Sequence, residues 1–187
     1  MENSWGEAIP ENVNELLAES NKIASILQSK LQANECPSLG DLYKRTYKVI
    51  RQKEVFKSNG YVPKNIQTDN PNNKNEYKGL YVFGELINGI TTPVYVGISR
   101  TIYRRLRQHG FGKKHNECTL AYNIAKLNTD FNKERSEFCE NLLALERENM
   151  QNFKVALYEV KEDFNLYFHE VAIAAILQTK YNTFKTH

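Results

Sequence analysis

One hundred and eighty-seven residues, 41% hydrophobic and 25% charged, suffice to bury one sizeable core, or one core with a small appendage. The sequence holds no run of roughly eighteen apolar residues that could span a bilayer, and residues 1–10 have neither a basic start nor an apolar block, so no membrane partner and a cytoplasmic location are expected. Cys36, Cys118 and Cys139 are too scattered for a disulfide framework and form no Cys-x-x-Cys pair, which suits a reducing compartment.

From residue 11 the apolar residues Val13, Leu16, Leu17, Ala24, Leu27 and Leu31 recur at steps of three, four and seven, predicting a helix over about 11–32. Pro37 and Ser38 open a second predicted helix, with Leu39, Tyr43, Tyr47 and Ile50 on one stripe and Asp41 at capping-box distance from Ser38. Residues 57–77 then turn polar and rich in asparagine, a composition of turns and loops. A boundary is expected there, dividing an N-terminal helical extension with its linker (1–77) from a core (78–187).

Residues 78–88 alternate, with Leu80, Val82 and Leu86 on one face and Tyr81, Phe83, Glu85 and Ile87 on the other; Asn88 and Gly89 supply a turn, and Val94, Val96 and Ile98 alternate with Tyr95, Gly97 and Ser99. This reads as a β-hairpin. If the aliphatic faces meet the core, Tyr81 and Tyr95 must converge on the opposite surface. Ser99 or Thr101 would cap a helix over about 101–109, on which Arg105 and His109 stand four apart. Helices over 118–128 and 133–149, a third strand over 152–160 and a last helix from Asp163 to about Thr179 complete a mixed α+β pattern: a small three-stranded antiparallel sheet flanked by helices.

The formal net charge of +3 conceals an uneven distribution. Residues 1–77 carry 10 basic and 10 acidic side chains, residues 78–129 carry 8 and 2, and residues 130–187 carry 7 and 10. Within 99–114 the cations Arg100, Arg104, Arg105, Arg107, Lys113 and Lys114 stand with no acid among them. Such single-sign charge predicts a polyanion partner, since a merely solvated helix face usually interleaves acids with bases.

Glu170 has Leu166, Tyr167, Ile173 and Ala174 at minus four, minus three, plus three and plus four. A carboxylate on an apolar stripe costs several kcal/mol unless a cation or hydrogen bonds offset the lost water. Two readings stand: a salt bridge to a core arginine, or a metal ligand or catalytic acid.

Gly79-Leu80-Tyr81 and, thirteen residues on, Tyr95-Val96-Gly97, followed by Arg105 and His109 and later by Glu170 and Asn182, together resemble the GIY-YIG endonuclease superfamily over roughly residues 78–185. The departures are Leu80 and Val96 in place of the usual isoleucines. The resemblance implies a small mixed sheet flanked by helices and metal-dependent hydrolysis of a nucleic-acid phosphodiester, with Tyr81, Tyr95, Arg105, His109, Glu170 and Asn182 at the active-site places. Arg105 would receive charge developing on the phosphate. Glu170 would hold one Mg²⁺ or Mn²⁺, largely through waters and phosphate oxygens. Tyr81 is the first candidate for the general base, assisted by His109, which titrates nearer neutrality and could act itself. Tyr95 is either a structural phenol or a contact to the scissile phosphate, and Asn182 a brace.

Arg100, Arg104, Arg107, Lys113 and Lys114 would contact flanking phosphates. His115 is expected only to pack. The compact plan points to a DNA endonuclease of the restriction or defence kind. Repair or mobile-element nucleases, and a nucleic-acid binding module without catalysis, are the alternatives. The two helical stripes of 1–77 must dock on the core or on a second copy, so a homodimer is possible.

Overall fold

The structure is a computed structural model that describes residues 9–10, 12–62, 76–112, 117–129 and 140–184. Asn12 opens the first helix, α1 (Val13–Gln32), by accepting the Asn14 N–H on its side chain. Leu16, Ile23, Ala24, Leu27 and Leu31 form its buried stripe. Ser38 and Asp41 form the expected reciprocal capping box of α2, but this helix is a single turn, Leu39–Leu42.

The second helix predicted to reach Ile50 is therefore replaced by two short antiparallel strands, β1 (Tyr43–Arg45) and β2 (Val49–Arg51), followed by α3 (Lys53–Ser58). Over so short a stretch, four apolar residues at steps of three and four do not distinguish the two periods. The β-branched and aromatic residues Tyr43, Thr46, Tyr47, Val49 and Ile50 favour extended backbone. Tyr47, assigned to the packing stripe, is 90% exposed at the hairpin tip.

β3 (Gly79–Ile87), β4 (Ile90–Ser99) and β5 (Lys154–Glu159) form the predicted three-stranded antiparallel sheet, ordered β4-β3-β5. Asn88 and Gly89 both take positive φ (52° and 81°) in the tight turn between β3 and β4, which an Asn-Gly pair accepts at little cost. Among the described residues four further α-helices follow the hairpin: α4 (Ile102–Phe111), α5 (Thr119–Thr129), α6 (Glu140–Asn149) and α7 (Asp163–Ile176). The fold is thus mixed α+β, with helices on both faces of the sheet.

Two hydrophobic layers result. On one face Leu80, Val82, Val96 and Ala156 pack with Ile23 and Leu27 of α1 and Ile173 of α7. On the other, Tyr81, Phe83, Val155 and Leu157 pack with Ile102 and Leu106 of α4 and with the aromatic residues Tyr43, Phe56 and Tyr103. The tyrosine face of the hairpin is consequently a second interior, and Tyr81 is 1% exposed. A shift of register between Phe83 and Gly84 also carries Val94 from the expected aliphatic face to the aromatic one.

Of the two ways in which the N-terminal helix could bury its stripe, the chain uses the nearer: α1 lies against the sheet and α7 within the same layer. Among the described residues no helix is long and apolar enough to cross a membrane.

Candidate active site

Tyr81 in β3 stands opposite Gly97 in β4. A Cβ on Gly97 would lie 2.4 Å from both Cζ and Oη of Tyr81, so the third residue of the Tyr95-Val96-Gly97 run must lack a side chain for the phenol to lie where it does. A Cβ on Gly79 would come within 2.0 Å of the Tyr158 carbonyl oxygen of neighbouring β5. Both glycines therefore answer to close approach across the sheet.

α4 runs beneath the tyrosine face. Thr101 holds its N-cap position, as one of the two candidates, but the Thr101 side chain makes no cap hydrogen bond, and Ser99 Oγ accepts from the Thr101 N–H at 2.9 Å. The Glu76 carboxyl, from just before β3, lies beside the backbone N–H groups of Tyr103 and Arg104 at the positive end of the helix, its pKa raised by burial and drawn back by those N–H groups. Leu106 and Ile102 hold α4 on the core, and this fixes Arg105 and His109, one turn apart, under the sheet.

His109 is fully buried, with Nε2 2.8 Å from Tyr81 Oη. The Arg105 guanidinium lies near enough to Tyr81 for its charge to act on the phenol and donates through Nη1 to the Glu117 carbonyl at 3.2 Å. The Tyr95 ring stands beside Tyr81, the two centroids 6.2 Å apart. The Arg105 charge reaches Glu170 on α7. Five of the six expected site residues, Tyr81, Tyr95, Arg105, His109 and Glu170, thus form one constellation drawn from two strands and two helices.

Asn182 belongs elsewhere. Its side-chain amide accepts the Val96 N–H and donates to the Val96 carbonyl, each at 2.8 Å, and Thr179 Oγ1 donates to the same Oδ1 at 2.8 Å. With the Tyr181 N–H on the Val94 carbonyl, the tail pairs along the outer edge of β4. Asn182 is a brace behind Tyr95 and Gly97, the role its position suggested.

Burial raises the Tyr81 phenol well above the usual range, Tyr95 adds to the shift, and Arg105 opposes it. Tyr95 is likewise raised by burial and drawn back by Arg105. His109 is held well below its ordinary value by burial and then by Arg105. Glu170 is pushed up to about 7 by burial despite the attraction of Arg105. The resting site therefore keeps both phenols and the imidazole neutral, with Arg105 as its fixed charge.

The flank of Glu170 is less apolar than expected: Leu166, Ile173 and Ala174 are buried, but Tyr167 is 62% exposed. Glu170 accordingly sits half-buried at the rim. The fully buried place beside it belongs to His169, whose Nδ1 meets Ser20 Oγ at 2.8 Å.

Arg104 and Arg107 are exposed on α4. Arg100 instead forms a bidentate pair with Asp163 (Nε to Oδ1 3.1 Å, Nη2 to Oδ2 2.7 Å), an acid that also receives Lys78 at 3.0 Å. The acid-free run 99–114 is thus balanced at one end by a residue distant in sequence. Ser99, Arg100, Thr101, Arg104, Leu166 and Tyr167 line an open hollow of about 480 Å³ at this end of α4. Lys113, Lys114 and His115 lie outside the described residues.

Cys118 is a site neighbour that carried no signal in the sequence: its Sγ lies 2.9 Å from the His109 carbonyl oxygen and 3.9 Å from Nδ1. Compared with protein-family models, curated proteins and solved structures, the chain matches none.

Proposed function

We propose that the chain is a metal-dependent endonuclease that hydrolyses DNA phosphodiester bonds. The single observation that carries this reading is Tyr81, buried with its hydroxyl 2.8 Å from Nε2 of His109 and within reach of the Arg105 charge. A phosphodiester gathers negative charge on its non-bridging oxygens as water attacks, and a preorganised guanidinium at the edge of an apolar pocket stabilises that charge more than it stabilises the ground state.

The attacking water must lose a proton. Tyr81 Oη accepts it while the phenol passes its own proton to His109 Nε2, which becomes imidazolium as the negative charge gathering on the phosphate offsets the new cation. The new bond forms between the water oxygen and phosphorus, and the bond to the departing ester oxygen breaks. In this relay Nδ1 carries the ring proton, facing Cys118 Sγ. The residues also fit the expected ion. Among the described residues no group of three or more His, Cys, Asp or Glu could enclose a metal, whereas one half-buried carboxyl, Glu170, suits an ion that keeps most of its waters and takes phosphate oxygens as ligands. Bound there, Mg²⁺ or Mn²⁺ would stabilise the departing oxygen.

One site per chain cuts a duplex either as a homodimer or one strand at a time. The restriction or defence role, the repair or mobile-element role and the inactive binding module are separated by one experiment. Supercoiled plasmid and phage DNA are incubated with the protein and Mg²⁺, with and without chelator, and the product ends are sequenced. Chelator-sensitive cleavage is expected. Ends sharing one short sequence support a restriction role, scattered ends a repair role. Uncut but bound DNA would identify a binding module.

A further inference from the structure

The even balance of residues 1–77 hides a second charge boundary. Residues 1–41 hold 7 acids and 2 bases, whereas residues 42–57 hold 6 bases, Lys44, Arg45, Lys48, Arg51, Lys53 and Lys57, and one acid, Glu54. All six fall on the β1–β2 hairpin and α3. The structure shows what each can do. Arg51 is committed to the protein, its guanidinium lying 4.2 Å from the centroid of the Tyr103 ring on α4. Lys44, Arg45, Lys48, Lys53 and Lys57 are exposed. At the tip Tyr47 is 90% exposed, with Lys48 Nζ 5.3 Å from its ring centroid.

The hairpin is firmly seated. Its register pairs Tyr43 with Arg51 and Arg45 with Val49. Tyr43 is buried with its hydroxyl on the Tyr103 carbonyl at 2.5 Å, and Tyr43 and Phe56 meet ring to ring at 5.7 Å. Tyr103 is thus the common support of Tyr43, Phe56 and Arg51. Arg107 stands one helical turn beyond Tyr103 and lies near enough to Tyr43 for its charge to act on that phenol. The cations of the hairpin therefore continue the outward face of α4 that carries Arg104 and Arg107, the face on which Arg104 lines the hollow with Leu166 and Tyr167. A rigid, two-stranded basic projection with an unpacked aromatic at its tip has the make-up of a surface that lies along a sugar–phosphate backbone.

We propose, resting on the nuclease reading, that the β1–β2 hairpin with α3 is a second DNA-contacting surface. Lys44, Arg45 and Lys48 grip phosphates beside the one that is cut, and Tyr47 stacks on an exposed base or sugar. This gives the N-terminal segment a direct part in DNA binding in addition to its packing role. The test is duplex binding by fluorescence anisotropy in EDTA, so that cleavage plays no part, across a salt series. The proteins are the wild type, K44Q/R45Q/K48Q, Y47A, and K22Q as a control on exposed α1.

Loss of three phosphate contacts lowers the log–log salt slope by about 2.7, so the ratio of affinities at roughly 50 and 200 mM salt shrinks about 40-fold. Y47A should weaken binding at every salt concentration without changing the slope, and K22Q should change neither. Because all these side chains are exposed, unchanged thermal unfolding is expected and is checked alongside. A wild-type slope retained by the triple variant, with Y47A binding as tightly as wild type, overturns this proposal and leaves the nuclease reading standing. Wild-type protein that binds no duplex at all overturns both.

Discussion

The phenol of Tyr81 lies across Gly97, its Cζ and Oη 2.4 Å from the place a Cβ would occupy. Gly97→Ala must therefore push the phenol away from His109 Nε2 or bend β4 off β3. Overpacking of this kind costs about 1–3 kcal/mol, but the effect on cleavage should be larger, about 10²-fold, because the phenol is displaced from its two partners. Thermal unfolding read beside single-turnover cleavage separates the two losses. A variant destabilised yet fully active would show that the Tyr81 position is not needed for the chemistry.

Asn182→Ala removes two hydrogen bonds that close the edge of β4 at Val96. The expected cost is about 1–3 kcal/mol, since a buried N–H and carbonyl lose their partners. Asn182→Asp keeps the acceptor and should recover part of it. Urea unfolding of the three proteins checks this order.

Arg105→Ala should lower turnover by about 10² to 10³-fold with little change in DNA affinity, and lysine should restore only part of it. Arg107→Ala should weaken binding and reduce the salt slope by about 0.9. Binding isotherms and single-turnover rates on the same duplex separate the two arginines. An Arg107 variant that fails to turn over at saturating DNA would mean that the outward face of α4, not the Arg105 face, meets the reacting phosphate.

Glu170 and the buried histidines make opposite contributions to stability over one pH range. The carboxyl, raised to about 7 in the folded chain, binds a proton there that the unfolded chain has already released, so it costs stability as pH rises from about 4.5 to 7. His109 and His169 are lowered by burial, His169 being drawn back by Glu19. The unfolded chain takes up their protons first, so stability is lost as pH falls below about 6.5. Glu170→Gln removes only the first effect. Its stability relative to wild type should grow between pH 5 and 7 and level off above, as denaturant titrations across that range would show; a pH-independent difference would mean that Glu170 titrates normally.

Much of this arrangement was legible in the sequence because it rests on short-range patterns. The two-residue alternation around Asn88-Gly89 fixed the hairpin, and the four-residue step from Arg105 to His109 set both on one helix face. What escaped depended on contacts distant in sequence. The pairing of Arg100 with Asp163 joins residues 63 apart, and Glu76 comes to lie beside the start of a helix a whole hairpin later. The register shift at Phe83 moves Val94 between faces, and its local signal is limited to Pro93 beside Val94 and Gly84 across the ladder. The β1–β2 hairpin was hidden by apolar spacing compatible with both periods, and its charge by the seven acids of residues 1–41 that offset it in the count.

The central claim is that Tyr81, poised between Arg105 and His109, relays a proton during phosphodiester hydrolysis. The most direct measurement is the single-turnover cleavage rate of Tyr81→Phe, which keeps the ring over Gly97 and removes only the hydroxyl, on Mg²⁺-supported plasmid at saturating protein. A fall of at least about 10²-fold, with duplex affinity and thermal stability close to wild type, is the predicted result; cleavage by Tyr81→Phe within a few-fold of wild type would contradict the account.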